Sequence, residues 1–450
     1  MAKGATHVLG LDIGTAFIKA AEVQFQGDEF HLVGRPAVVP TPEGAVRGGV
    51  VVDAPAVSEV IQELRNRYSA KTRTAIASVG GDSSVVVRIA EVPKMSGREL
   101  DEAVQWELDE QTPFPVDEVV YDYAPIERPD ADPEATEMEV LLAVAQEDML
   151  MAHAEVMEGA GLKPHSIDVE PLAIGRALVD AAGDEFAEQT VVNVHIGATN
   201  TLILIFRHRL LAFVRVIPSA GENLTQALAQ NLMIDQEQAE IVKLQLGNLH
   251  EGFVPEPEEE DEFAGAGMFE EEEAYEEDMA SDSVFELSSV DDEPATIDPG
   301  DEGATHLEID DVAELEEPPD EEEAPPPAAP EPELPEEEMD PEEADARDEV
   351  AELLTDPVLD IATEVRRSLD FYRRQHRNEP VDRIILTGGT ANMRGIVSLM
   401  ADETGVATEL GDPFKYLTVN DEGVSEEYLR DIGPSAVIAV GLALRDMITE

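Results

Sequence analysis

Three glycine turns carry the residue types that hold phosphates. In "LGLDIGTAFIKAAEV" (9–23) an apolar strand reaches Asp12, Gly14 and Thr15 make the turn, and Lys19 lies four residues on in the returning strand. A phosphate cradle needs exposed N–H groups, a small hydroxyl and a cation, with a carboxylate to hold hydrated magnesium. This stretch offers all of them. "VNVHIGATNTLILIF" (192–206) repeats the pattern around Gly197 and Thr199, except that His195 stands where the first copy has Asp12. Magnesium prefers hard oxygen ligands and neutral imidazole is a poor substitute. His195 is therefore either a change in the chemistry or a ring packed against the core and bonded to backbone. The third turn is Gly388-Gly389 in "RIILTGGTANMRGI" (383–396), a buried strand followed by the mouth of a helix. Backbone there can approach a ligand without a Cβ, and helix N–H groups favour phosphate or ribose oxygens.

Two further stretches must position these turns. "IDVEPLAIGRAL" (167–178) puts Glu170 just before a helix with Pro171 in its first turn, and "SAVIAVGLALRD" (435–446) reads as a small-residue helix in which Gly441 allows tight packing. After the first hairpin the pattern predicts a third strand near 30–39, a helix over 54–70 and a strand over 72–80. After the second it predicts a strand over 209–217 and the helix "GENLTQALAQNL". Strand–strand–strand–helix–strand used twice points to a duplicated α/β domain with a cleft between its halves. Residues 85–165 interrupt the first half with their own strand–helix–strand–strand–helix pattern. The first of these helices reads as opened by a Ser96–Glu99 capping box, and the second as stopped at Gly161.

The formal charge of −71 is concentrated in one place: residues 251–350 hold 43 Asp and Glu against Arg347 alone, which leaves −29 for the rest of the chain. Low hydrophobicity, proline and like charge predict disorder there, as a solvated spacer or a tether with short apolar islands such as "GAGMF" and "SVFELSSV". Such a charge repels phosphate backbones and argues against direct nucleic-acid binding. The absence of cysteine excludes disulfides and thiolate metal sites. The N-terminus lacks the layout of a signal peptide, and the most apolar run is cut by Arg207, His208, Arg209 and Arg215, so a cytoplasmic chain is expected.

These five elements, in this order, resemble the two phosphate loops, the adenosine loop and the two connecting helices of the actin/Hsp70-type ATPase fold. With "AVQWELDEQTPFPVDEVVYDY", "AGLKPHSIDVEPLAIGRAL", "AEIVKLQLG" and "VRRSLDFYRRQ", the chain is similar to the PilM family of the type IV pilus assembly machinery over everything but the acidic insert. The expected fold class is α/β: an actin-like ATPase fold of duplicated βββαβα-type domains around a nucleotide cleft, with an inserted α+β subdomain and a long disordered acidic insert. The first lobe would occupy 1–84 and 166–190, and the partner-binding subdomain 85–165. The second lobe would take 191–250 and 351–433, the acidic insert 251–350, and the C-terminal helix 434–450, returning to the first lobe.

The resemblance implies ATP and Mg2+ as cofactors. Asp12 would act on the magnesium shell, Thr15 and Lys19 would contact phosphates, and Glu170 would sit near the attacking water. Gly197 and Thr199 would hold the outer phosphates, while Gly388, Gly389 and Thr390 would border the adenosine. Lys243 and Arg366 or Arg367 would contact adenine or ribose. The family pattern has aspartate at His195, so the expectation is ATP binding with slow or absent turnover. It further implies a grip on the N-terminal cytoplasmic peptide of PilN, and through PilN a link to the pilus motor ATPases and the platform protein. The membrane would be reached only through partners, with a homo-oligomer left open. An FtsA-like division protein is the alternative. It would need a membrane-binding amphipathic helix at the C-terminus, where this sequence reads "LRDMITE" directly after the second connecting helix.

Overall fold

The computed structural model describes residues 5–68, 70–81, 84–249, 341–376, 379–421 and 423–448. The first part of the chain runs β1 (His7–Ile13), β2 (Phe17–Gln26), β3 (Glu29–Leu32), β4 (Ala37–Pro40), β5 (Val46–Arg47), β6 (Val50–Val51), α1 (Ala54–Arg67) and β7 (Thr74–Val79). An inserted unit follows: β8 (Val85–Pro93), α2 (Arg98–Gln111), β9 (Val119–Ile126) and β10 (Glu137–Gln146). Then come α3 (Glu147–Gly159), β11 (Lys163–Val169) and α4 (Glu170–Gly175), the last continued by a π-helical turn over Arg176–Asp180. The second half has β12 (Thr190–Ile196), β13 (Thr201–Arg207), β14 (Leu210–Ile217), α5 (Gly221–Leu232), α6 (Gln236–Leu246), α7 (Pro341–Gln375) and β15 (Arg383–Thr387). It closes with α8 (Ile396–Thr404), β16 (Thr408–Leu410), β17 (Thr418–Val419) and α9 (Glu426–Ala443).

The two large sheets repeat one topology. In the first, β2 lies antiparallel to β1, and β7 and β11 follow β1 in parallel. In the second, β13 lies antiparallel to β12, and β15 and β16 follow in parallel. These central strands are apolar on both faces because helices or the opposite lobe cover both sides. On the outer face of the first sheet, Leu9, Leu11 and Ile13 pack with Val57 and Ile61 of α1 and Val156 and Met157 of α3. On the outer face of the second, Val192, Val194 and Ile196 pack with α5, α7 and α8. The inner faces of both sheets share one core with α4 and α9, in which Val8 and Val191 take matching places. The two connecting helices are thus what the halves have in common.

Several expectations need correction. The strand read near 30–39 is two short strands, β3 and β4, which both pair with β2. The Ser96–Glu99 capping box does not form: Gly97, at φ 60°, is the N-cap of α2, and no side chain caps the helix. Helix α3, by contrast, does stop where expected: after its last residue, Gly159, and the cap Ala160, Gly161 takes a left-handed φ of 71°, its N–H donating to Glu158 O and that of Leu162 to Met157 O, both at 2.9 Å. It also packs on α1 in the first lobe's core, so of residues 85–165 only the sheet β8-β10-β9 and α2 form a separate small core. Gly388-Gly389 opens into a 3-10 turn over Gly389–Asn392, and α8 begins only at Ile396. Helix α7 starts at Pro341, ten residues inside the stretch assigned to the acidic insert on charge alone. Its Val350, Leu354, Val358, Ile361, Val365 and Leu369 fall on one buried face, and helical periodicity there outweighs the acidic composition. The remainder of the insert expectation, 251–340, lies outside the described residues.

Candidate functional site

The first two glycine turns are built alike. The Gly14 N–H donates to Phe17 O at 3.1 Å, and the Gly197 N–H donates to Asn200 O at 3.0 Å, closing equivalent hairpins. Gly14 and Gly197 do not adopt positive φ; space is what demands glycine at the first, since a Cβ on Gly14 would lie 2.9 Å from Phe17 O and 3.0 Å from Lys19 Nζ. Among the described residues, nothing accepts from the N–H groups of Thr15, Ala16, Ala198 and Thr199. Thr15 and Thr199 are both partly exposed. Open N–H groups on two facing turns are what an anion needs.

Charged groups meet between these turns. Asp12 and Lys19 are register partners on β1 and β2, and Lys19 Nζ lies 3.0 Å from Asp12 Oδ2. The pair is nearly buried, and its angle leaves Oδ2 without an aligned hydrogen bond. Glu170, the first residue of α4, nestles against Gly80: a Cβ on Gly80 would sit 2.0 Å from the Glu170 carboxyl carbon. Gly80 is a site residue that sequence reading passed over as the end of a strand. Glu170 keeps partial solvent contact, yet burial, with the negative charge of Asp12 adding and Lys19 opposing, lifts its carboxyl to about 7.

His195 sits on the face of β12 opposite Val194 and Ile196, only 6% exposed. Its Nδ1 lies 3.0 Å from Thr387 Oγ1, so its partner is a hydroxyl on β15 rather than backbone. Burial first, and the Lys19 ammonium second, push its pKa down to about 3, so the ring is neutral at physiological pH. The structure therefore brings Asp12, Lys19, Glu170 and His195 into one electrostatic group.

The third turn closes on the second. Gly388 has φ 93°, and a Cβ there would collide with Ile196 O at 2.2 Å, so glycine is needed for both conformation and approach. Its N–H donates to Pro434 O of α9 at 2.7 Å, and Thr390 Oγ1 donates to Gly197 O at 3.3 Å. Gly389 is open, with Ser435 Oγ the nearest group to an added Cβ, at 3.9 Å. Lys243 reaches this place from α6, donating to Gly221 O at 3.1 Å and Thr225 Oγ1 at 2.8 Å and pairing with Glu240 at 2.6 Å. Gly221 links the two, since a Cβ on it would meet Thr390 Oγ1, Gly197 O and Lys243 Nζ. Its signal in sequence is only a small residue at a helix start. Arg366 and Arg367 are on the exposed side of α7, where Arg366 pairs with Glu403 at 2.7 Å and Arg367 with Glu364.

No group of three or more metal-ligating side chains occurs among the described residues, and none of their helices is long and apolar enough to cross a membrane.

Two sheets of one topology, each with a glycine hairpin at the end of its first strand and joined by two helices that cross in a common core, define an actin-like ATPase fold. A family model described as type IV pilus assembly protein PilM matches residues 10–255 and 338–447. The chain belongs to that family. A solved structure, described as a PilM-PilN type IV pilus biogenesis complex, is 25% identical with a TM-score of 0.69, covering 98% of this chain and 98% of that one. Cell division protein FtsA of Bacillus subtilis (strain 168) is 27% identical over 270 residues, 54% of this chain and 58% of that protein. FtsA of Streptococcus pneumoniae serotype 2 (strain D39 / NCTC 7466) is 22% identical over 264 residues, 54% and 56% respectively. The chain thus spans less than two thirds of the length of the curated relatives it matches.

Proposed function

We propose that the chain is a cytoplasmic ATP-binding scaffold of the type IV pilus assembly complex, which grips the N-terminal cytoplasmic peptide of PilN and links it to the motor ATPases and the platform protein. The observation that carries the nucleotide half is the contact of the second and third turns, Gly388 against Ile196 and Thr390 on Gly197, with the ammonium of Lys19 from the first hairpin acting on both His195 and Glu170. ATP supplies a polyphosphate long enough to lie along both hairpins. Thr15, Ala16, Ala198 and Thr199 offer it N–H groups, Lys19 offers an ammonium, and Gly389 leaves room for the nucleoside with Thr390 and Lys243 beside it. Asp12 Oδ2 is one hard oxygen suited to a hydrated Mg2+ shared with phosphate oxygens, and the second hairpin adds no other carboxylate. Glu170, poised near neutrality, is a competent proton acceptor. Without a carboxylate at 195 to orient water, turnover is slow or absent.

The peptide half rests on the inserted sheet. Its order is β8-β10-β9, so β9 pairs on one side only, and an edge strand accepts an extended peptide by strand addition. Helix α2 covers one face through Leu100, Val104 and Leu108, and Trp106, 60% exposed, stands on its outer side as an aromatic anchor for such a peptide. A pulldown with a synthetic PilN N-terminal peptide, with and without Mg-ATP, tests both halves together. Retention that strengthens with nucleotide is expected; retention in neither condition removes the reading.

A further inference from the structure

Asp12 and His195 are equivalent positions of the duplicated hairpins, each two residues before the turn glycine and on the strand face turned toward the other lobe. Their cross-strand partners differ. Asp12 faces Lys19, whereas His195 faces the buried Leu202. A carboxylate at 195 would find no cation opposite it in its own hairpin and would have to share Lys19, which already pairs with Asp12.

The imidazole is held instead by a chain of buried groups. Asn193 Nδ2 donates to Ile385 O and to Thr387 Oγ1, both at 3.0 Å. A carbonyl only accepts, so Ile385 fixes which way the amide points. The Thr387 hydroxyl has then accepted one bond. It keeps its hydrogen for His195 Nδ1 at 3.0 Å in preference to Asn193 Oδ1 at 3.4 Å. With Nδ1 accepting, the neutral ring carries its own hydrogen on Nε2, a tautomer assigned from the network. No described residue accepts from that nitrogen.

An N–H donor is a poor neighbour for a hydrated cation, whose waters point their hydrogens outward, and a good one for a phosphate oxygen. We infer, resting on the nucleotide reading above, that His195 Nε2–H donates to a phosphate oxygen of the bound nucleotide where a cation-bound water would otherwise stand. The chain therefore holds a nucleoside triphosphate with little dependence on a divalent ion. Thr387 and Asn193 are positioning residues for that donor: Thr387 reaches it from β15, the strand that leads into the Gly388 turn, and Asn193 orients Thr387 from β12, two residues before His195.

The test is calorimetric titration of the full chain with ATP, once with Mg2+ and once in excess EDTA. The parent should show affinities within about threefold of each other, because one charge-assisted hydrogen bond replaces much of what the cation gives. His195→Gln places an amide nitrogen near the Nε2 position and should keep this independence. His195→Asp should lose about tenfold or more in EDTA and recover with Mg2+. A parent chain that binds ATP with Mg2+ but weakens about tenfold or more in EDTA overturns the inference, as does a folded His195→Gln chain that behaves like the aspartate variant. Binding in neither condition removes the nucleotide reading itself, and the inference with it.

Discussion

Gly441 of α9 and Ala173 of α4 touch backbone to backbone where the two connecting helices cross: a Cβ on Gly441 would lie 1.8 Å from Ala173 O. Each helix is packed in the core shared by both lobes, so this crossing joins the two halves. Gly441→Val has no room to be absorbed. Stability should fall by about 3 kcal/mol, read from chemical denaturation, and a variant as stable as the parent would show that the crossing yields.

Lys19 is the cation common to Asp12, Glu170 and His195. Lys19→Ala should weaken ATP binding by roughly ten- to a hundred-fold, the worth of one charge-assisted contact to a phosphate. The same change should raise the pKa of Glu170, which Lys19 holds down, and that of His195, which Lys19 depresses. NMR titration of the His195 ring reads the second effect.

The pH dependence of stability should carry a signature of Glu170. Its carboxyl is lifted from 4.5 to about 7 in the folded chain, so the native state binds more protons than the unfolded state between those values. Stability from this group is complete below the unfolded pKa and is lost as pH rises through the folded one, by about 3 kcal/mol in all. Denaturation midpoints followed from about pH 5 to about pH 8 should fall less steeply in Glu170→Gln. An unchanged slope would place the proton elsewhere.

The inserted sheet also touches the second lobe. Arg128, 7% exposed in the loop between β9 and β10, donates to Leu211 O at 2.9 Å and pairs with Glu139. Losing it leaves a half-buried carboxylate unpaired. Arg128→Ala should cost about 2 kcal/mol and should loosen the dependence of peptide affinity on ATP. Peptide titrations with and without nucleotide measure the latter, since a linkage between two ligands must run both ways.

The hairpins at Asp12 and His195 were legible because strand alternation, a glycine and a short loop are local signals, and their repetition marked the duplicated fold. The inserted strands β9, at the sheet's edge, and β10, at its centre, were also within reach, through plain alternation and turn residues. Contacts made by folding were not. Gly80 matters only because Glu170 arrives from another strand, and Thr387 only because β15 pairs with β12. Basic residues on helices show the same limit: Lys243 turns inward beside Gly221, while Arg366 and Arg367 look much the same in sequence and pair on the surface. The Ser96 box failed for a local reason, since Gly97 took a positive φ and moved the helix start by one residue.

The two hairpins share a framework but differ in content, one bearing an ion pair and the other an uncharged ring opposite leucine. A site made of two identical halves could not tell the head of an elongated guest from its tail. A guest laid across both hairpins would therefore meet charge at one end and a hydrogen-bond donor at the other, and would bind in one direction only.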